Sequence, residues 1–330
     1  MVITMKRNIL ISGISKINYT MSLLILLVLL CIFFSFVNPD VFLSTRNFTS
    51  MAFQFPEFGL LALGIALTMI SGGIDISVVA TANLSAIFAA MIMRTAGNNA
   101  FTEPQTIIIA IIAALLTGVI CGLINGSLVA RLGITPFMAT LVGSQMFFGL
   151  SVAITGGSSV VGLPATFSRV GNTLFFNTIP LKLVVFMVFL LLLAFILKKT
   201  LFGARLYMIG SNYKAAQYSG INNVKLLTIT YVMSGLLSSV AGLVMLTNYN
   251  AANPSFGSAY KLQCVLIAIL GGMGPAGYSR KFSGVLIAIL ILQVVSSGLS
   301  LFPNASMYFR SLLWGALLIA MMIITRRIRN

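Results

Sequence analysis

A run of about 20 mostly apolar residues is what one α-helix needs to cross the hydrocarbon of a bilayer. Such runs recur along this chain from end to end, near 19–37, 52–70, 74–93, 106–130, 135–155, 180–198, 226–246, 259–273, 282–300 and 307–325. In lipid, backbone N–H and C=O groups must be satisfied within the segment, so runs of this kind form helices. The pattern predicts an all-α polytopic membrane protein with about ten transmembrane helices. The run at 259–273 is short, which predicts a tilted or broken span.

Composition narrows the alternatives. The 330 residues are 59% hydrophobic and 7% charged, whereas a soluble domain carries roughly 25% charged residues. The net charge of +16 comes from 20 Lys and Arg against 4 acids. The basic residues lie singly or in pairs between apolar runs rather than on one basic face, which argues against nucleic-acid binding. Cytoplasmic loops of membrane proteins retain Lys and Arg. With the N-terminus inside, ten spans place both termini in the cytoplasm. Arg46, Arg94, Arg169, Lys182, Lys261 and Arg310 then fall at outside ends, and the other fourteen basic residues fall inside. Residues 1–18 become a cytoplasmic N-terminus and 19–330 a single transmembrane domain. The first run follows Lys6, Arg7 and Lys16 but is too long for a signal-peptide core and lacks a clear cleavage site, so it is expected to remain as an uncleaved span.

Chemistry of its own is not expected of this chain. Histidine is absent, and no GxxxxGK[ST] loop occurs to hold a nucleotide. Cys31, Cys121 and Cys264 lie apart inside apolar runs, as small filler, and form no metal spacing. Of the acids Asp40, Glu57, Asp75 and Glu103, only Glu57 and Asp75 fall within expected spans, each near an end. A transporter driven by protons or sodium usually carries carboxylates in the membrane. Catalysis is therefore not expected here, nor a metal or a cofactor, and energy is expected to come from a separate subunit. Two small-residue ladders, Ala114/Gly118/Gly122/Gly126 and Ser234/Ser238/Gly242, predict close helix packing.

Three segments carry a resemblance. Ser71-Gly72-Gly73-Ile74-Asp75-Ile76-Ser77 resembles the SGGIDLSVG signature of permeases from ribose-, xylose-, arabinose- and galactose-type ABC importers, a family that also holds autoinducer-2 and some nucleoside permeases. Paired glycines permit a tight turn, and Asp75 and Ser77 can cap the next helix. Either Asp75 is a cap alone or it also meets solute. Where the family usually continues with Gly, this chain has Val79-Ala80.

Phe202 to Ile221 is similar to that family's cytoplasmic loop, of the form FGR-x-[IV]-YAIGGN-x-x-AA-x-x-SGI. Such a permease takes up ATPase motion through a short helix seated in its partner. Asn212 can cap that helix, Lys214–Ser219 can form it, and Gly220 can end it. Tyr213 and Tyr218 are anchors of the kind enriched at interfaces. The resemblance thus marks Asn212, Tyr213, Lys214, Ala215, Ala216, Tyr218, Ser219, Gly220 and Ile221 as contacts to the ATPase, within a cytoplasmic coupling segment 199–225. The bland alternative is a basic juxtamembrane loop.

Around 260–277 the family shows YELDAIAAVVLGG before a Gly-rich turn. Here the turn is kept, but Lys261 and Gln263 replace the acids, which weakens a simple ribose-type assignment. The resemblance runs from about Asn47 to Arg327. It implies a fold like type II ABC importer permeases, in the bacterial inner membrane. It also implies a second permease chain (identical or not), a cytoplasmic ATPase holding ATP and Mg, and a periplasmic or lipoprotein solute-binding protein. A stand-alone secondary transporter or channel is the alternative of another class.

Polar residues within spans are candidates for a wet seam, foremost Asn83, Asn125, Gln145 and Gln293. They can equally hold helices together. The outside residues Arg46, Arg94, Arg169 and Arg310 are candidates for docking an acidic binding protein, or simply snorkel at span ends.

Overall fold

The computed structural model describes residues 19–94, 102–175, 179–274, 277, 282–300, 312, 314–316 and 319. Nine principal helices carry the membrane-like part: α1 (Tyr19–Val37), α3 (Thr45–Ile70), α4 (Val78–Arg94), α5 (Glu103–Ala130), α6 (Pro136–Thr155), α8 (Leu181–Lys199), α11 (Asn223–Tyr249), α12 (Tyr260–Leu270) and α13 (Ser283–Leu299). Shorter helices α2 (Pro39–Phe42), α7 (Ala165–Gly171), α9 (Leu201–Ser211) and α10 (Tyr213–Tyr218) lie between them. Strands β1 (Leu174–Phe175) and β2 (Ile179–Pro180) make a small antiparallel pair.

Six of these helices are long and apolar enough to cross a membrane, by length and composition: α1, α3, α5, α6, α8 and α11. α4, α12 and α13 are shorter apolar helices. The tenth expected span, 307–325, lies almost wholly outside the described residues. The eighth is α12, whose 11 residues reach only about 16 Å at 1.5 Å per residue. It is a half-span.

Helix limits follow local signals. Ser44 Oγ accepts the Asn47 N–H at the start of α3. Gln105 Oε1 accepts the Thr102 N–H before α5, and Pro136 opens α6, where its missing N–H costs nothing. α4 begins at Val78, later than its apolar run near 74, because Gly72 at φ +84° turns the chain first.

α3 is the central helix: every residue from Phe55 to Ile70 is buried. α11 lies against it, against α4 and, most extensively, against α5. The α5–α11 contact is made by the predicted ladder. A Cβ on Gly118 would stand 2.4 Å from the Gly235 carbonyl oxygen, and one on Gly122 would stand 2.5 Å from the Tyr231 carbonyl oxygen. The second ladder works differently. Gly242 approaches the Ala82 backbone, whereas Ser234 serves as a hydrogen-bond donor.

Pairs distant in sequence fix which helix ends lie together. Tyr19 Oη donates to the Leu270 carbonyl at 2.6 Å, and Gly210 of α9 packs on the Ile70 carbonyl. These mark the α10 end of the bundle. At the opposite end Ser297 Oγ donates to Asn47 Oδ1 at 2.7 Å, and Val160 pairs with Ala252. Successive spans therefore run in alternating directions.

Candidate functional site

The 71–77 turn joins α3 to α4 at the α10 end. Asp75 is 2% exposed. Its Oδ1 accepts the Ser77 N–H at 3.0 Å and the Ser77 hydroxyl at 2.6 Å. Its Oδ2 accepts the Ser234 hydroxyl of α11 at 2.8 Å. Ser77 Oγ in turn accepts from Asn125 Nδ2 of α5 at 2.7 Å. Asp75 thus caps α4 and ties α4 to α5 and α11. Gly73 is held within this knot, since a Cβ there would stand 2.6 Å from Tyr231 Oη. Asp75→Ala would leave three donors in a buried site without their acceptor, at about 3 kcal/mol in total. Melting of the detergent-solubilised protein should drop well below that of Ser234→Ala, which removes one donor.

The other sequence-predicted polar residues separate. Asn83 is buried and spends both amide hydrogens on the carbonyls of Pro254 and Phe256, each at 2.8 Å. Asn125 is buried, and among the described residues its Oδ1 has no partner. Gln145 is exposed on α6. Gln293 is buried in α13, and among the described residues neither of its side-chain polar atoms has a partner. No single seam collects all four.

A second polar knot was not legible in the sequence. Glu57 sits midway along α3, 2% exposed, rather than at a span end. It accepts from Asn248 Nδ2 at 2.8 Å, from Tyr249 Oη at 3.2 Å and from Tyr260 Oη. Asn248 Oδ1 accepts from Lys182 Nζ, which also donates to Asn172 Oδ1 at 2.8 Å and lies 5.1 Å from the Phe53 ring centroid. Asn248 of α11 thus bridges a buried cation on α8 and a buried carboxylate on α3, and Tyr260 brings in α12. The residues stand up to 203 positions apart, so no local pattern announces them.

At the α10 end, residues 199–225 form two helices where the sequence suggested one. α9 starts at Thr200, whose hydroxyl accepts the Gly203 N–H at 3.4 Å. α10 starts at Asn212, whose Oδ1 accepts the Ala215 N–H at 3.0 Å. Gly220 at φ +78° ends it, with its N–H on Gln217 and that of Ile221 on Ala216. Only Gly takes this conformation without strain. Ala216 is buried on one face of α10. Lys214 and Ser219 are exposed, as are Ala215 and Tyr213, and Tyr218 is 90% exposed. A hollow of about 320 Å³ between α9 and α10 is lined by Tyr207, Met208, Ser211, Asn212, Ala215, Ala216 and Ser219. Asn223 Nδ2 donates to the Tyr213 carbonyl at 2.9 Å, fastening α10 to α11.

At the opposite end Arg46, Arg94 and Arg169 are all exposed; Arg310 lies outside the described residues. Arg94 lines a cleft of about 260 Å³ with Glu103 and the 162–166 segment. The three cysteines are free, and Cys121 and Cys264 are buried. Among the described residues no group of three metal-ligating side chains occurs.

A helical bundle of alternating apolar spans, polar knots inside it and a projecting short helix at one end define a multi-pass membrane permease. Residues 47–325 match the family described as branched-chain amino acid transport system / permease component. The chain belongs to that family of permease components. It is 32% identical over 284 residues to the ribose import permease protein of Bacillus subtilis (strain 168), covering 86% of this chain and 85% of that protein. It is 29% identical over 271 residues to the autoinducer 2 import system permease protein of Yersinia pseudotuberculosis (serotype O:1b, strain IP 31758), covering 80% of this chain and 78% of that one. No solved structure matches the chain.

Proposed function

We propose that this permease imports a sugar or a similar small polar solute, driven by ATP that a separate cytoplasmic subunit binds with Mg and hydrolyses. The observation that carries the reading is α10: a capped, two-sided, six-residue helix whose tyrosines project from the bundle. A helix of this form suits a groove in an ATPase partner. Motion entering there has two rigid exits. One is the Asn223–Tyr213 bond into α11. The other is the Gly210–Ile70 contact into α3, next to the Asp75 turn. Both lead into the central helices, so a displacement of α10 would be felt where α3, α4 and α11 meet.

On this reading the α10 end is cytoplasmic, as are both termini. The opposite end faces a periplasmic or lipoprotein receptor, and two permease chains flank the pathway in the bacterial inner membrane. The relatives support a ribose-like solute and, alternatively, autoinducer 2; a nucleoside is the further alternative. A stand-alone ion-driven transporter is less well supported, because Glu57 and Asp75 are both engaged in hydrogen-bond knots. The test is ATP-dependent uptake of the receptor's ligand, radiolabelled, by proteoliposomes holding the permease, its ATPase and its receptor. The receptor's own ligand is found by thermal-shift screening. Uptake without the ATPase would overturn the reading.

The exposed arginines give a separate test. Arg46→Glu with Arg169→Glu should weaken receptor docking about tenfold at low salt, and the difference should fade at high salt as screening sets in. Equal docking at both salt concentrations would leave the arginines as snorkelling side chains.

A further inference from the structure

After α11 ends at Tyr249 the chain does not stay at the surface. Asn83, which binds the Pro254 and Phe256 carbonyls, lies 11 residues from the Arg94 end of α4, about 16 Å down that helix. Lys261, at the start of the half-span α12, donates through Nζ to Ser144 Oγ at 3.0 Å, and Ser144 lies near the middle of α6. Segment 250–261 is therefore re-entrant and reaches the middle of the bundle. Yet Ser255, Ser258 and Ala259 are exposed, as is Gln145 beside Ser144. Irregular backbone at this depth is tolerated only inside protein or along a water-filled cavity, not against lipid. The exposed face of this segment is therefore turned away from lipid, toward the second permease chain and the pathway that the two chains flank.

Lys261 stands at that face. Ser144 is 3% exposed, so the ammonium points inward to a buried hydroxyl rather than snorkelling to lipid headgroups. Among the described residues it has no ion pair, and two of its three N–H donors remain for other acceptors. A fixed, uncompensated positive charge halfway along a pathway repels cations and attracts anions. We propose that Lys261, set by Ser144, makes the pathway selective for solutes bearing an anionic group, a carboxylate or a phosphate. This rests on the importer reading and specifies its solute class.

The test puts a single cysteine at Gln145, in a background with Cys31, Cys121 and Cys264 replaced by alanine, in the reconstituted complex of permease, ATPase and receptor. Gln145→Cys should react faster with the anionic sulfonatoethyl methanethiosulfonate than with the cationic trimethylammonioethyl reagent, relative to free cysteine. Adding Lys261→Gln should lower that ratio about tenfold, while Lys261→Arg should keep it. Millimolar ribose 5-phosphate and gluconate are then compared with ribose as protectants. Protection by the phosphate alone or the carboxylate alone assigns the group, and protection by both assigns anions in general. A ratio unchanged by Lys261→Gln, no reaction at position 145, or no preference for either acid over ribose overturns the proposal. Receptor-stimulated ATPase activity in the same vesicles separates the two failures: if it persists, only the anion proposal has failed; if it is absent in the unsubstituted complex, the importer reading has failed.

Discussion

Gly122→Leu is expected to abolish the folded permease. A Cβ at this position would lie 2.5 Å from the Tyr231 carbonyl oxygen and 2.7 Å from Val232 Cα, both backbone atoms that no rotamer change can move. The α5–α11 contact is the most extensive between any two helices of the bundle, so the helices would have to part along their length. Overpacking in a core costs about 1–3 kcal/mol where side chains can yield; where backbone blocks the way the cost should exceed that range. In lipid, association of helices rests on close packing rather than on water exclusion, so α5 would lose its largest contact and keep only those to α4 and α6. Size-exclusion of the detergent-solubilised variant should show loss of the monodisperse species, while Gly149→Leu, with nothing near its Cβ position, should behave as the unsubstituted protein does. A monodisperse, normally melting Gly122→Leu would mean that the ladder does not set the contact.

Under the proposed coupling through α10, Tyr213→Ala with Tyr218→Ala is expected to reduce solute-coupled ATP hydrolysis by more than tenfold and leave folding intact. Both side chains are exposed, so their removal opens no cavity within the chain. Buried aromatic anchors at an interface typically contribute 2 kcal/mol or more each, so losing two should largely uncouple the ATPase. The measurement is receptor-stimulated ATPase activity alongside the melting temperature of the permease alone. Normal coupling in the double variant would remove α10 as the point of entry.

The spans were legible because a bilayer imposes a length and an apolar composition that no local context overrides. The small-residue ladder at 114–126 was legible for a related reason: close approach of helices in lipid demands glycine at four-residue spacing. α10 was legible from Asn212 and Gly220, whose capping and positive-φ roles act over a few residues. α9 was missed, because Leu201–Ser211 continues a basic, mixed segment whose helix is stabilised by docking on α3 through Gly210. The Glu57 knot was missed for the same physical reason on a larger scale. Asn248 and Lys182 look like polar residues near span ends until folding brings them to a carboxylate in the middle of α3.

Sequence alone determined that this chain lives in a bilayer as a bundle of helices and that it resembles importer permeases. Those conclusions rest on solvent, local chemistry and residue order. Only the tertiary structure decided which polar residues are ties and which remain open. Asn83 and Gln145 read alike in the sequence, yet Asn83 is spent holding a re-entrant loop while Gln145 is left exposed beside the Ser144–Lys261 bond. A hydrogen bond between residues 117 positions apart depends on how helices cross, and the crossing is set by the sum of all their contacts rather than by any one segment.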